Sequence, residues 1–269
     1  HKEYRRQRQM CIRDSNTAVG YQAAYANTTG SAINAFGYKA LYANTTGANN
    51  IAIGNNAMVA NSTGNFNTAI GDSAMAANTT ANDNVAIGQS ALDANTTGAS
   101  NVAVGRDALG ANTTASNNTA VGYQAAYANT TGSVDAFGVN TLRANTTGVR
   151  NVAIGFQALR NNTTGNFNSA LGSSDNTVGS SLEANTTGSY NNAYGAGSLA
   201  SNTTGGNNSA FGYQALLQNT TASNNTAVGY QAGYSNTTAG FNCSFGNKAG
   251  YSLTTGSSEA GYNVFIGDR

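Results

Sequence analysis

The sequence predicts an all-β fold, a parallel β-solenoid of about 14 coils of 17 residues. Three observations predict it. A unit reading roughly N-x-A-[VIF]-G-x-x-A-L-x-A-N-T-T-G-x-x recurs from residue 16 to the end of the chain. Its glycine falls at a strict spacing: Gly20, Gly37, Gly54, Gly71, Gly88, Gly105 and Gly122, then Gly138, Gly155 and Gly172 after a one-residue deletion. After a six-residue insertion it returns at Gly195, Gly212, Gly229 and Gly246, and a last partial unit carries Gly267. Finally, apolar runs of four residues bounded by Gly and Asn fit short strands and turns, and the period leaves no room for a pair of helices.

One unit, residues 50–67, shows what each part does. Asn50-Ile51-Ala52-Ile53 is apolar and β-branched, and Gly54 ends it at a corner, where glycine tolerates a positive φ. Asn55 and Asn56 make a polar corner, and Ala57-Met58-Val59-Ala60 is read as a second short strand. Asn61-Ser62-Thr63-Gly64 is a turn or a short Thr-bearing strand. Stacking in register places neighbouring strands ~4.8 Å apart, so about 14 coils would form a rod on the order of 70 Å long. Each column then meets itself, and the Asn before Thr-Thr can hydrogen-bond to its copies.

Two sizeable apolar side chains per coil are expected to supply the core. One precedes the glycine (Val19, Phe36, Ile53, Ile70, Ile87, Val104), and the other lies four residues after it (Leu41, Met58, Met75, Leu92, Leu109). Alternation along the strand points the uniform Ala (Ala35, Ala52, Ala69, Ala86, Ala103, Ala120) to the opposite face. A strand apolar on both faces is usually covered on both. One face is the coil interior. Another copy of the chain would cover the second, unless that face is a harmless exposed row.

Residues 1–15 stand apart. They hold five of the twelve basic residues, Lys2, Arg5, Arg6, Arg8 and Arg13, and two of the eleven acids, leaving seven bases and nine acids in the repeats. A basic run of this kind reads as a nucleic-acid or membrane arm. It shares nothing with the repeat, however, and its RQRQMCIRDS string resembles translated adapter read-through, so it is set aside as foreign or disordered. No nucleic-acid partner and no membrane contact are expected of this segment. The insertion near residues 175–180 is expected to bulge as a loop, and the last coil is truncated. The chain stops inside a repeat at Asp268 and Arg269, so it is read as a fragment of a longer protein.

The repeats carry little chemistry. Charged residues make up 9% of the chain, against about 25% in ordinary globular proteins. The only histidine is His1, outside the repeats, so no nucleophile–histidine arrangement is available there and no enzyme is expected. Asp72, Asp93 and Asp107 occupy variable columns, and no regular Asp marks a calcium-binding repeat. Cys11 and Cys243 give neither a disulfide framework nor metal spacing. No cofactor or metal is expected.

Strings such as Asn84-Val85-Ala86-Ile87-Gly88, Asn101-Val102-Ala103-Val104-Gly105 and Asn151-Val152-Ala153-Ile154-Gly155 resemble the head repeats of trimeric autotransporter adhesins of the YadA kind. The whole unit is also similar to repeats in phage tail-fibre proteins. The resemblance covers about residues 16–267. It implies a left-handed β-roll, a homotrimer, an extracellular, cell-surface or virion location, and attachment to a receptor, matrix protein or glycan. The extra A-N-T-T-G piece enlarges each coil relative to that family, and no neck motif, heptad or barrel anchor is present in the sequence.

Two surface features are the candidate sites. Thirteen units carry Asn-[Thr/Ser]-Thr, among them Asn27-Thr28-Thr29, Asn44-Thr45-Thr46, Asn78-Thr79-Thr80, Asn95-Thr96-Thr97 and Asn112-Thr113-Thr114. Three readings stay open for this ladder: stacked turn residues, N-glycosylation acceptors, or a regular Thr array that binds ice. Against the last, adjacent threonines on a strand present only one side chain per coil to a given face. The second feature is an aromatic rim of Tyr21, Tyr38, Tyr123, Tyr213 and Tyr230, one residue after the repeat glycine, suited to carbohydrate or protein contact or simply to stacking.

Overall fold

The structure, a computed structural model, describes residues 15–174, 178–252 and 262–268. The chain divides into two compact units, His1–Thr131 and Gly132–Arg269. Each is a parallel β-solenoid with one short strand per coil, and no helix occurs among the described residues. Unit 1 holds β1 (Thr17–Val19), β2 (Asn34–Phe36), β3 (Ile51–Ile53), β4 (Thr68–Ile70), β5 (Val85–Ile87), β6 (Val102–Val104) and β7 (Thr119–Val121). Unit 2 holds β8 (Val134–Phe137), β9 (Asn151–Ile154), β10 (Ser169–Leu171), β11 (Asn192–Tyr194), β12 (Ser209–Phe211), β13 (Thr226–Val228), β14 (Cys243–Phe245) and β15 (Val264–Ile266).

Within each unit the strands pair in sequence order and in register. Ala52 lies opposite Ala69, and Ala69 opposite Ala86. In unit 2 the register survives the insertion, since Ala170 still lies opposite Ala193. The extra residues therefore leave the stack between β10 and β11 without shifting either strand. Of the predicted loop, residues 175–177 lie outside the described residues. Its C-terminal part is tied down: the Ser180 N–H donates to Glu183 Oε2 at 2.9 Å, and Ser180 Oγ donates to the Phe156 carbonyl at 2.5 Å. The predicted foreign segment also lies outside the described residues, apart from the exposed Ser15.

The second apolar stretch is not a strand. From the repeat glycine onward the backbone of the regular coils takes positive φ at alternate residues: in one coil Asn56 has φ 54° and Met58 has φ 50°. This alternation sends hydrogen bonds in both directions along the stack. Asn56 N–H donates back to the Tyr38 carbonyl at 2.8 Å, while Met58 N–H donates forward to Ala74 at 3.0 Å. Left-handed backbone at a non-glycine residue costs ~1–2 kcal/mol. Full burial of Leu41, Met58, Met75, Leu92 and Leu109 at these positions offsets it, at ~1.5–3 kcal/mol each.

The core differs from the expected one in a second way. The residue before the glycine does not enter it. In β3 the burial sequence is half-buried Ile51, buried Ala52 and exposed Ile53. Ala35, Ala52, Ala69, Ala86, Ala103 and Ala120 are all fully buried, whereas Val19, Phe36, Ile53 and Ile87 are among the exposed large apolar residues of unit 1. In unit 2 the same outward column holds Phe137, Ile154, Leu171, Phe211 and Phe245. The interior already holds Leu or Met together with buried Asn side chains in most coils, which leaves little volume on the inward face of the strand. Alanine fills the space that remains.

Candidate functional site

The Asn-Thr-Thr column separates into three layers. Asn44, Asn78, Asn95 and Asn112 are fully buried, and only Asn27, at the first coil, is partly exposed. Each amide donates twice. Asn44 Nδ2 reaches Asn27 Oδ1 at 2.9 Å and the Gly47 carbonyl at 2.9 Å. Asn78 Nδ2 reaches Asn61 Oδ1 at 2.8 Å and the Ala81 carbonyl at 3.4 Å. The ladder continues in Asn95 to Asn78 at 3.3 Å and Asn112 to Asn95 at 3.0 Å. Unit 2 has its own, with Asn162 donating to Asn145 at 2.7 Å and Asn202 to Asn185 at 2.8 Å. These asparagines belong to the interior and not to the predicted surface ladder. A glycan on such a nitrogen would require the turn to open.

The first threonine is half-committed. Thr28 Oγ1 donates to the Thr45 carbonyl at 2.9 Å, and Thr96 Oγ1 to the Thr113 carbonyl at 3.1 Å. Thr45, Thr79 and Thr113 repeat the bond to the coil that follows. Only the second threonine, Thr29, Thr46, Thr80, Thr97 and Thr114, stands exposed in every described coil. The column thus presents one exposed, uncommitted row of threonines at strand spacing, ~4.8 Å.

A second buried ladder escaped the sequence reading. Asn50, Asn67, Asn84 and Asn101 open successive coils, and each Oδ1 accepts the backbone N–H of the next: Asn67 to Asn50 at 3.0 Å, Asn84 to Asn67 at 3.1 Å. Asn67 Nδ2 also donates to the Ala81 carbonyl at 2.8 Å. The recurrence of Asn before the strand, broken only at Ile33 and Val134, was the available signal.

The aromatic rim is stacked. Tyr21 and Tyr38 lie 5.4 Å apart between centroids at 12°, and Tyr213 and Tyr230 lie 5.7 Å apart at 6°. Tyr123 instead has the Arg106 guanidinium 6.0 Å from its centroid. A parallel column four residues later adds Tyr25–Tyr42 at 5.5 Å and Tyr234–Tyr251 at 4.9 Å. Further along unit 1, Asp72, Asp93 and Asp107 share one region. Burial, then the Asp107 and Asp72 charges, raise the Asp93 carboxyl above its ordinary range. Among the described residues no group of three or more His, Cys, Asp or Glu could hold a metal ion, and no helix is long and apolar enough to cross a membrane.

These features define a parallel β-solenoid repeat protein whose columns present the same side chains again and again. No protein-family model, curated protein or solved structure matches the chain. The likeness to adhesin head repeats therefore rests on the repeat motif itself.

Proposed function

We propose that this chain is a structural and adhesive segment of a surface or tail fibre. Its copies would associate as a homotrimer and attach, many sites at a time, to a receptor, matrix protein or glycan surface outside the cell. The observation that carries the reading is the outward column of large apolar side chains on the strands. Ile53, Ile87, Phe36 and Val19 are each 38–55% exposed on one face of unit 1. A continuous apolar row on a chain this poor in charge favours association, since large exposed apolar patches mark interaction surfaces. The number three comes from the resemblance to trimeric adhesin heads. Repetition along the columns would supply avidity without any single strong contact. No catalysis is proposed.

Sedimentation of the full chain tests the assembly. The wild type is expected at three times the monomer mass, and Ile53→Lys/Ile87→Lys at one, with an unchanged far-UV circular dichroism spectrum. A monomeric wild type that keeps its fold defeats the assembly.

One observation favours a second reading, an ice-binding solenoid: the exposed second threonine recurs in register, as Thr29, Thr46, Thr80, Thr97 and Thr114. Against it, the neighbouring hydroxyl bonds the backbone, as Thr45 Oγ1 does to Ser62 at 3.0 Å, so the array is one residue wide. Thermal hysteresis is accordingly expected to be absent at micromolar protein. Hysteresis that disappears in Thr80→Val/Thr97→Val would displace the adhesive reading.

A further inference from the structure

We infer that two tyrosine–lysine patches, one in each unit, are binding sites for acidic saccharides, sugars bearing a carboxylate or a sulfate. This deepens the attachment reading above and rests on it.

In unit 1 the patch is built on two coils. Lys39 Nζ lies 5.3 Å from the Tyr38 ring centroid and 5.5 Å from that of Tyr42, so one ammonium bridges the two tyrosine columns. Tyr38 stacks on Tyr21, and Tyr42 on Tyr25, with rings parallel to within 12°. Each ring commits one face to its neighbour. Tyr21 and Tyr25 are still 64% and 63% exposed, so both remain reachable from solvent. The edge is the electropositive part of an aromatic quadrupole, and the hydroxyl is a donor. Ammonium, ring edges and hydroxyls all favour an anion, and the aromatic carbon offers the apolar contact a pyranose ring also needs.

Unit 2 repeats one half of the arrangement, with Asn247 standing where unit 1 has Tyr38. Lys248 Nζ lies 5.7 Å from the Tyr251 centroid, and Tyr251 stacks on Tyr234 at 4.9 Å. The lysines hold the same coil position and the same backbone conformation, φ 54° and 55°, and each N–H donates to the tyrosine carbonyl of the preceding coil, Lys39 to Tyr21 and Lys248 to Tyr230. In both places the preceding coil carries glutamine at the lysine position, Gln22 and Gln231. Both units thus place a lysine against a stacked tyrosine at the same coil position.

Charge distribution points the same way. No Asp or Glu occurs from residue 15 to residue 71, or from residue 184 to residue 252, the stretches that hold the two patches. Asp72, Asp83, Asp93 and Asp107 fall instead between Tyr42 and Tyr123, a stretch without tyrosine. The two ion pairs found among the described residues involve Arg106 and Arg160, and neither lysine. Among the described residues neither ammonium group has a carboxylate in contact, a position that suits an incoming anion.

The test is direct binding of full-length protein, by isothermal titration, to oligomers of a polyuronate, of heparin and of dextran. One or both anionic probes are expected to bind, in a salt-sensitive manner, and dextran not. The two anionic arms separate carboxylate from sulfate recognition. Lys39→Gln/Lys248→Gln is expected to weaken binding at least tenfold with an unchanged far-UV spectrum, Lys39→Arg/Lys248→Arg to retain it, and Tyr42→Leu/Tyr251→Leu to weaken it. A variant with Lys2, Arg5, Arg6, Arg8 and Arg13 all changed to Gln is expected to bind like the wild type. Wild-type affinity in Lys39→Gln/Lys248→Gln, equal binding of dextran, or no binding of either anion overturns the assignment. If beads coated with the chain still attach to a glycan-bearing surface, that failure concerns these patches alone. If attachment is lost as well, the adhesive reading falls with it.

Discussion

Gly88→Ala is expected to lower the stability of unit 1 by at least ~3 kcal/mol, while Gly98→Ala, ten residues on in the same coil, costs less than ~1 kcal/mol. Both positions are glycine in a glycine-rich repeat, and both look crowded. A Cβ on Gly88 would lie 2.6 Å from the Gly105 carbonyl carbon and 2.7 Å from its oxygen, and a Cβ on Gly98 would meet the Ala115 carbonyl oxygen and lie 2.5 Å from Asn95 Oδ1. Backbone conformation separates them. Gly88 has φ 132°, a region essentially reserved for glycine, and Gly98 shows no positive φ. The neighbours in each column agree. All seven coils of unit 1 and all eight of unit 2 carry glycine in the Gly88 column, each with φ between 115° and 152°. The Gly98 column already holds Ala81 and Ala115 on either side, and unit 2 holds Ala222 and Ala239 in consecutive coils, all buried. Alanine in the adjacent coils of the Gly98 column shows that the stack takes a Cβ at that position. A clash compounded by forbidden dihedrals, repeated against an identical glycine in the next coil, is costly. Urea midpoints of the two variants, with the wild type as reference, measure the difference. Equal losses would mean that crowding, and not φ, sets the requirement at both columns.

The same contrast explains how far the sequence could be read. Period, strand position and glycine corner were legible because each depends on a residue type recurring at one place. Which face of the strand turns inward was not. Both Ala52 and Ile53 are apolar, and hydrophobicity alone favours burying isoleucine. What decides it is volume: the interior must also hold Met58 and two asparagine ladders. The signal lay in the variability of the columns. Alanine is nearly uniform along its column, as an interior stacked on itself requires, while the outward column runs through Val, Phe, Ile, Leu and Tyr. The alternating backbone of the regular coils was hidden for another reason. Positive φ is expected at Gly or Asn, yet here Leu41, Met58, Met75, Leu92 and Leu109 adopt φ between 50° and 52°. No local propensity announces this, because the conformation is imposed by inter-coil hydrogen bonds and by burial. Of the candidate surface ladder, the second threonine of each pair stands exposed, while the first, as at Thr45 and Thr96, is half-buried and bonded to backbone. The asparagine half was misjudged because Asn in a turn is usually solvated.

Asn78→Asp tests how far that buried ladder holds the coils together. The substitution keeps the shape and exchanges one donor for an acceptor. In the native chain Asn78 Nδ2 donates to Asn61 Oδ1 at 2.8 Å and to the Ala81 carbonyl at 3.4 Å, while its Oδ1 accepts from Asn95 Nδ2 at 3.3 Å. A carboxylate would aim its second oxygen at two acceptors, at a site with no solvent exposure. Burying an unpaired charge against acceptors is expected to cost ~3–5 kcal/mol at neutral pH. The carboxyl would instead favour its protonated form, which restores one donated bond, so its folded pKa lies above the unfolded value of ~3.9. With a raised folded pKa, the native state binds more protons than the unfolded chain between the two values. The variant is therefore closest to the wild type below ~pH 4, and its deficit grows by ~1.4 kcal/mol per pH unit until the folded pKa is passed. Asn78→Ala has no titrating group and is expected to lose ~2–3 kcal/mol independently of pH, since the Asn61 oxygen and the Asn95 amide each lose one partner. Denaturant titrations of both variants between pH 3.5 and 8 distinguish the outcomes. A pH-independent deficit in Asn78→Asp equal to that of Asn78→Ala would show that the column is hydrated, and that its asparagines act as turn formers and not as the internal seam of the solenoid.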